Sequence, residues 1–284
     1  MGDPLRAIAV AYMVAGAGAI VLPAFVFVAG YRRWGWRARV ALVGAATFLV
    51  FQGVLRLPWQ PAFSAWATAR WGVVAAGLLA SLTAALWEEA GRYVAYRVAV
   101  RRPRLADAAA MGVGHGGFEA AVLVGLSLLG TGIALLALPL LGAGGGGADA
   151  GGGAVPGTGW PTLPPEAGAA LDQLRQAALE GGMLAPVLAL VERAAALTLH
   201  VGLSILVAAA WVQRRAVLWL AAVGIHFAAN AAAVALAQMG HAVAAEAVVL
   251  VLAGLTLYTG LRWGPLLDAA AGSNDPAGTQ PAVP

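Results

Sequence analysis

The stretch Trp87–Tyr93 places two adjacent carboxylates and an arginine inside a run that is otherwise apolar. A charge at membrane depth costs about 2.5–3.5 kcal/mol on insertion scales, and such groups usually pair with one another and serve a function. Arg92 follows Glu89 by three residues and Glu88 by four, so either carboxylate could pair with it. The two carboxylates point about 100° apart on a helix. We therefore expect one Glu to be held by Arg92 and the other to handle water, whereas a structural ion pair would explain only one of them.

The next apolar run opens with a glycine-rich segment that contains two further ionisable residues. His115 and Glu119 are four residues apart and share one helical face. The glycines of Gly112–Gly117 remove side chains, which allows close helix approach or leaves room for a substrate backbone. Close packing alone would explain the glycines but not the His and the Glu beside them.

Two later apolar runs also carry polar side chains. His200 follows the pair Glu192-Arg193, which we interpret as an ion pair nearer the outer interface. His226 and Asn230 are four residues apart on one face and could donate two hydrogen bonds to one developing oxyanion. Each of these groups could equally bond to a neighbouring helix.

Helical rise gives the depth of each polar group. At 1.5 Å per residue, Glu88, His115, His200 and His226 all lie about 12–16 Å from residues at the cytoplasmic ends of their runs. Scattered structural polar groups need not share a depth. The sequence therefore predicts one shared site in or near the cytoplasmic half of the membrane.

The chemistry that this set supports is hydrolysis. A buried Glu has a proton affinity suited to general-base work, and a neighbouring His can hold the same water. The motif HExxH is absent, and the chain has no Cys. An N/O ligand set of His115, His200, His226 and Glu88 would suit zinc. The residues leave open whether a metal ion or a carboxylate alone activates the water.

Composition identifies the class of protein. The chain of 284 residues is 61% hydrophobic and 11% charged, whereas a soluble domain is about 25% charged. Its basic residues are all Arg and lie mostly in short loops, where they set membrane topology. We expect an all-α, multi-pass protein of the cell (inner) membrane, in contact with the lipid bilayer and not with nucleic acid.

Seven apolar runs are long enough, or nearly so, to span the bilayer. They are Ala7–Gly30, Val40–Leu57, Trp71–Val98, Ala108–Leu128, Met183–Val212, Ala216–Ala237 and Val243–Leu261. Eleven Arg fall in the loops of one side, against Arg6, Arg56, Arg70 and Arg175 on the other. The positive-inside rule then predicts an outer N-terminus and a cytoplasmic C-terminus.

Two segments look non-membranous. Gly142–Gly159 is a low-complexity stretch typical of a flexible linker. Glu166–Glu180 spaces Leu171, Leu174 and Ala178 on one face, which predicts a short amphipathic helix on the outer surface. The predicted regions are two N-terminal spans (1–70), spans three and four (71–141), the outer loop and helix (142–182), spans five to seven (183–262) and a disordered tail (263–284).

As an ordered set, these motifs resemble the YhfC family of intramembrane metalloproteases and, more distantly, the PrsW and CAAX-protease and bacteriocin-processing families. The motifs are Glu88-Glu89-x-x-Arg92-Tyr93, Gly112-x-Gly114-His115-Gly116-Gly117-x-Glu119, Glu192-Arg193 followed by His200, and His226-x-x-x-Asn230. The resemblance implies that Glu88 or Glu89 activates water with a histidine, and that His226 with Asn230 forms an oxyanion hole. Arg92 comes one residue sooner than in the CAAX-protease pattern, which leaves the choice between the two carboxylates open.

The expected function is that of an intramembrane endopeptidase that cleaves a membrane-associated protein or peptide. The expected site consists of Glu88, Glu89, Arg92, His115, Glu119, His200, His226 and Asn230. Two alternatives remain open at this point. One is a proton-coupled transporter that uses the same Glu and His residues as a relay, and the other is a non-catalytic relative that keeps the fold for binding.

Overall fold

A computed structural model describes residues 4–138 and 165–272, and every regular element in these two ranges is helical. Three of the helices end in a π-helical turn, at Leu49–Val54, Tyr96–Val100 and Ala120–Gly125. The α-helices are α1 (Pro4–Trp34), α2 (Ala38–Phe48), α3 (Gln60–Ala95), α4 (Leu105–Glu119), α5 (Leu126–Ala137), α6 (Pro165–Gly181), α7 (Leu184–Gln213), α8 (Ala216–Gln238) and α9 (Ala242–Gly272). The predicted all-α class is confirmed for the described chain.

Within residues 4–138 and 165–272, six helical segments are long and apolar enough to cross a membrane. They are Pro4–Trp34, Gln60–Val100, Leu105–Ala137, Leu184–Gln213, Ala216–Gln238 and Ala242–Gly272. The second predicted span corresponds to a shorter apolar helix, Ala38–Val54, which consists of α2 and its π-helical turn. The chain is thus a multi-pass helical membrane protein, and the side on which each terminus lies stays a prediction.

Gly72 explains why the third candidate span is much longer than a bilayer requires. A continuous helix over Gln60–Val100 would be about 60 Å long, roughly twice the hydrocarbon core. Gly72 has φ 84°, a left-handed conformation that favours glycine, and it breaks the helix there. Trp66 and Trp71, just before the break, pack edge to face with their ring centroids 4.9 Å apart. The spanning part of α3 therefore begins after Gly72, close to the predicted start at Trp71.

The chain divides into two compact units. The first comprises Met1–Leu22 and Glu119–Ala194. Within it, α6 packs Leu171, Leu174 and Ala178 against a buried cluster that contains Ile8 and Leu135. These are the three residues whose spacing predicted an amphipathic helix. The helix is present, and its place on the outer surface stays a prediction. The predicted linker Gly142–Gly159 lies outside the described residues.

The second unit comprises Pro23–Phe118 and Ala195–Pro284. Here α3 packs along α8, α8 packs along α9, and α2 contacts α3. α7 is the most buried candidate span, with 72% of its most apolar window inside the protein against 22–28% for the other five. This unit carries Glu88, His115, His200 and His226 on α3, α4, α7 and α8.

The C-terminal end of α9 differs from the sequence-based expectation. A disordered tail was predicted from residue 263, but α9 continues to Gly272. Tertiary contacts account for the difference: Gly264 lies against the Leu105 side chain, and Asp268 Oδ1 accepts a hydrogen bond of 2.9 Å from the Leu105 backbone N–H. The carboxylate caps a donor at the start of α4 that the helix itself cannot satisfy.

Candidate metal centre

Glu88 lies at the centre of three imidazole rings. Its Oε2 is 2.9 Å from His115 Nε2, 3.9 Å from His226 Nε2 and 4.0 Å from His200 Nδ1. Each of these four residues is at most 3% exposed. The four helices thus bring together the residues that the depth argument placed at one level, and they exclude water from the group.

Close helix packing sets the position of His200. A Cβ atom added at Gly116 would lie 2.7 Å from Cδ2 of His200, and one at Gly112 would lie 2.7 Å from the His200 carbonyl oxygen. Real Cβ atoms do not approach so closely, so larger residues at these positions would push α4 and α7 apart. The glycines beside His115 therefore have the packing role that the sequence suggested.

Glu89 is the carboxylate that Arg92 holds. Its Oε1 accepts a hydrogen bond from Arg92 Nη1 and lies 2.7 Å from His226 Nδ1. Because an ionised carboxylate only accepts, His226 carries its proton on Nδ1 and turns Nε2 toward Glu88. Trp219 Nε1 donates to the Glu89 carbonyl at 3.1 Å, which ties α8 to α3 beside this pair. Glu89 and Arg92 are both fully buried.

Arg92 also reaches the other members of the cluster. Its Nη2 lies 2.6 Å from His200 Nδ1 and 3.6 Å from Glu88 Oε2. A guanidinium has no acceptor, so His200 Nδ1 must accept in this contact. With neutral imidazoles, the two carboxylates are balanced by two buried guanidinium groups, Arg92 in direct contact and Arg56 through the amide of Gln52. Buried charges in a membrane usually pair with one another in this way.

The donor set fits a divalent metal ion. Ligand atoms of Glu88, His115 and His200 all lie within 4.8 Å of one another. In a tetrahedral zinc site, ligand atoms lie about 2.0–2.2 Å from the ion and therefore about 3.3–3.6 Å from one another. Two imidazoles with one carboxylate are a known set of zinc ligands. One condition follows from the contact of His200 with Arg92: a metal ion and Arg92 cannot use the same imidazole lone pair.

His226 differs from the other two histidines in its partners. Its Nδ1 is bound to Glu89, and its Nε2 is 3.9 Å from Glu88. A histidine oriented by a carboxylate in this way is suited to moving a proton or to donating a hydrogen bond. Of the four predicted metal ligands, Glu88, His115 and His200 offer ligand atoms within 4.8 Å of one another, and His226 lies beside them. Which of the four bind a metal ion stays a prediction.

The remaining predicted residues have other surroundings. Glu119 belongs to the first unit and accepts a hydrogen bond of 3.2 Å from Arg193, which also pairs with Glu192. Asn230 lies one turn after His226 on α8 and is half-buried. The roles proposed for Glu119 and Asn230 in catalysis stay predictions.

Two residues that the sequence motifs did not mark are linked to Glu88, one directly and one through the other. Gln52 donates from Nε2 to Glu88 Oε1, and Arg56 Nη1 donates to Gln52 Oε1 at 3.1 Å. Both side chains are buried, Arg56 at 7% exposed, whereas the sequence-based topology counted Arg56 only as a charge at the outer end of its predicted span. The four-residue spacing of Gln52 and Arg56 within an apolar run is the signal that could have identified them.

The fold and the cluster define a class: a multi-pass helical membrane protein with carboxylates and imidazoles buried at one point between its helices. A family model described as YhfC intramembrane metalloprotease matches residues 18–139. The uncharacterized membrane protein YhfC of Bacillus subtilis (strain 168) is 30% identical over 259 residues, or 86% of this chain and 92% of that protein. No solved structure matches the chain. The chain belongs to the YhfC family.

The two comparisons cover different parts of the cluster. The residues matched by the family model include Glu88, Glu89 and His115 but end before His200 and His226. The Bacillus subtilis relative matches most of both chains. The relationship therefore extends beyond residues 18–139, the part of the chain that the family model matches.

Proposed function

We propose that this protein is an intramembrane metalloprotease that hydrolyses a peptide bond in a membrane-associated protein or peptide. The observation that carries the proposal is the position of Glu88, whose Oε2 faces three buried imidazoles that come from three other helices. The family description is consistent with it. Cleavage in the cytoplasmic half of the bilayer is part of the same proposal and rests on the predicted topology.

In this proposal, Glu88, His115 and His200 hold a divalent metal ion, with zinc favoured by the N/O donor set. When bound, the ion would supply a Lewis acid that polarises the scissile carbonyl and lowers the pKa of water. Burial of all three side chains keeps bulk solvent away from the reacting bond.

The chain's own residues account for proton movement. His226, held at Nδ1 by Glu89, takes a proton at Nε2 from the attacking water and returns it to the leaving amine. While it is doubly protonated, its Nε2–H donates to the developing oxyanion, and Asn230 is the proposed second donor. Arg92 keeps Glu89 ionised through the transfer, because a guanidinium stays charged beside it.

The function is tested with purified protein in lipid nanodiscs and fluorescently labelled casein as a general substrate. We expect slow cleavage that a chelator abolishes and that added Zn²⁺ restores. Peptides with a single apolar span, reconstituted in the same discs, serve as a second substrate. Cleavage that the chelator leaves unchanged would contradict the metal-dependent mechanism, and no cleavage of either substrate by metal-loaded protein would contradict the protease assignment.

The same preparation separates a transporter from a protease. Proteoliposomes that carry the protein are expected to show no proton or Zn²⁺ flux above that of empty liposomes. Flux that is lost in Glu88→Gln would favour transport, because this carboxylate would then belong to a relay.

A further inference from the structure

The second oxygen of Glu88 is bound separately from the three histidines. Oε2 faces the imidazoles, whereas Oε1 accepts from Gln52, a residue of the π-helical turn after α2. Gln52 is 5% exposed and lies within an apolar run. Burial of an amide there is unfavourable unless the amide forms hydrogen bonds. π-helical turns occur often at functional sites, because the extra residue in the turn redirects a side chain.

The orientation of the Gln52 amide follows by elimination. Arg56 Nη1 lies 3.1 Å from Gln52 Oε1, and a guanidinium can only donate. The amide must therefore turn its oxygen to Arg56 and its NH₂ group to Glu88. Because that NH₂ group only donates, Glu88 Oε1 must accept. One arginine thereby determines which oxygen of Glu88 is occupied and which faces the histidines.

Arg56 is itself held in place. Its Nε donates to Thr83 Oγ1 at 3.2 Å and its Nη2 to the Ala80 carbonyl oxygen at 2.7 Å, both on the α3 segment that precedes Glu88. All of these acceptors are neutral, so the buried cation has no carboxylate in direct contact within the described chain. The nearest carboxylate along its hydrogen bonds is Glu88, through Gln52.

We propose that Gln52 is a positioning residue that occupies Oε1 of Glu88, so that only Oε2 is offered to the metal ion, and that Arg56 fixes the orientation of the Gln52 amide. This inference rests on the proposed metalloprotease function. It makes Glu88 a one-oxygen ligand and assigns to this site two residues that no sequence motif marked. The hydrogen bonds of Gln52 lead to Glu88 and those of Arg56 lead to Gln52, so both residues act through Glu88.

The test is a set of four variants: Gln52→Leu, Arg56→Met, the double variant, and Thr47→Val as control. Thr47 is a buried residue of α2 whose hydroxyl bonds only within its own helix, to the Val43 carbonyl oxygen. Each metal-free protein is titrated with Co²⁺, and the d–d absorption of the bound ion is recorded. Thermal unfolding of the metal-free proteins is measured in parallel.

We expect Gln52→Leu to weaken Co²⁺ binding by about 10–100-fold, the usual effect of losing a group that orients a metal ligand. Its d–d absorption should fall in intensity, because a freed Oε1 can join Oε2 as a ligand and raise the coordination number. Arg56→Met should weaken binding several-fold by releasing the amide. The double variant should bind no more weakly than Gln52→Leu alone, since Arg56 acts through Gln52. Thr47→Val should match the wild type.

Two results would overturn the proposal. The first is a Gln52→Leu protein that binds Co²⁺ with the affinity and the spectrum of Thr47→Val. The second is a double variant whose loss of affinity equals the product of the two single losses, because Arg56 would then act by another route. A purely structural role of Gln52 would lower the melting temperature and leave the spectrum of the bound ion unchanged.

Failure of the metalloprotease assignment gives a different pattern. If the wild-type protein binds no Co²⁺, the assignment fails, and the melting temperatures of the metal-free proteins decide the positioning claim. Suppose that Gln52→Leu lowers the melting temperature of the wild-type protein but not that of Glu88→Gln. This result would support the claim that Gln52 acts through its contact with Glu88. An equal change of melting temperature in the wild-type protein and in Glu88→Gln would contradict that claim.

Discussion

Glu88→Gln is expected to lower kcat/KM for peptide cleavage by more than about 10²-fold, because loss of a proposed metal ligand should weaken metal binding by more than the roughly 10–100-fold that follows loss of a group that orients a ligand. Glu88 is the residue that faces all three buried histidines. The substitution keeps the side-chain volume and leaves Arg92 paired with Glu89, so the protein should still fold. Activity, metal content and melting temperature are measured on the same preparation.

Glu180→Gln is the control for this substitution, because Glu180 lies exposed on α6. Glu89→Gln provides a second comparison. It should retain metal while losing activity, since Glu89 contacts His226 and Arg92 rather than His115. A Glu88→Gln protein with the activity of Glu180→Gln would contradict the central position given to Glu88.

Arg92→Met is expected to have the largest effect on stability, a loss of about 3–5 kcal/mol, because it leaves Glu89 buried with an uncompensated charge. Arg92 is fully buried and bonds to both Glu89 and His200. The double variant Arg92→Met/Glu89→Gln should recover most of that loss, since the unpaired charge is then absent. Equilibrium unfolding in mixed micelles gives the free energies.

Arg104→Met is the matched control for Arg92→Met. Arg104 also pairs with an acidic residue three positions away, Asp107, at 3.3 Å, but its side chain is 48% exposed and Arg37 is a second partner of the same carboxylate. Because Arg37 still pairs with the buried Asp107 carboxylate when the half-exposed Arg104 is removed, we expect a loss of only about 0–1 kcal/mol. Equal losses of unfolding free energy in Arg92→Met and Arg104→Met would contradict the claim that Arg92 compensates the buried charge of Glu89.

The main features of the cluster could be predicted because charged residues are rare in apolar runs. Helical rise alone placed Glu88, His115, His200 and His226 at one depth, and the structure has their side chains in contact. The spacing of Leu171, Leu174 and Ala178 likewise predicted α6 and its buried face. Hydrophobic periodicity and helical rise are local properties of the chain, so both can be derived from the sequence alone.

The choice between Glu88 and Glu89 could not be made from sequence, because the rotation of α3 depends on the helices packed against it. α8 presents His226 and Trp219 to Glu89, and these long-range contacts decide which carboxylate Arg92 holds. The contribution of Arg56 was hidden for another reason. An arginine near the end of an apolar run was counted only as a topology signal of the outer side, whereas hydrogen bonds to α3 bury it. The π-helical turn at Leu49–Val54 also breaks the 3.6-residue periodicity that places Gln52 on a face.

Metal content of four single-histidine variants tests the central claim most directly. The chain has four His residues, of which His241 is exposed and serves as an internal control. Elemental analysis of protein purified with Zn²⁺ should give one ion per chain for the wild type and for His241→Ala. His115→Ala and His200→Ala should retain little metal, and His226→Ala should retain most of it while losing activity. Wild-type protein without metal, or metal retained equally in all four variants, would contradict a metal ion held by Glu88, His115 and His200.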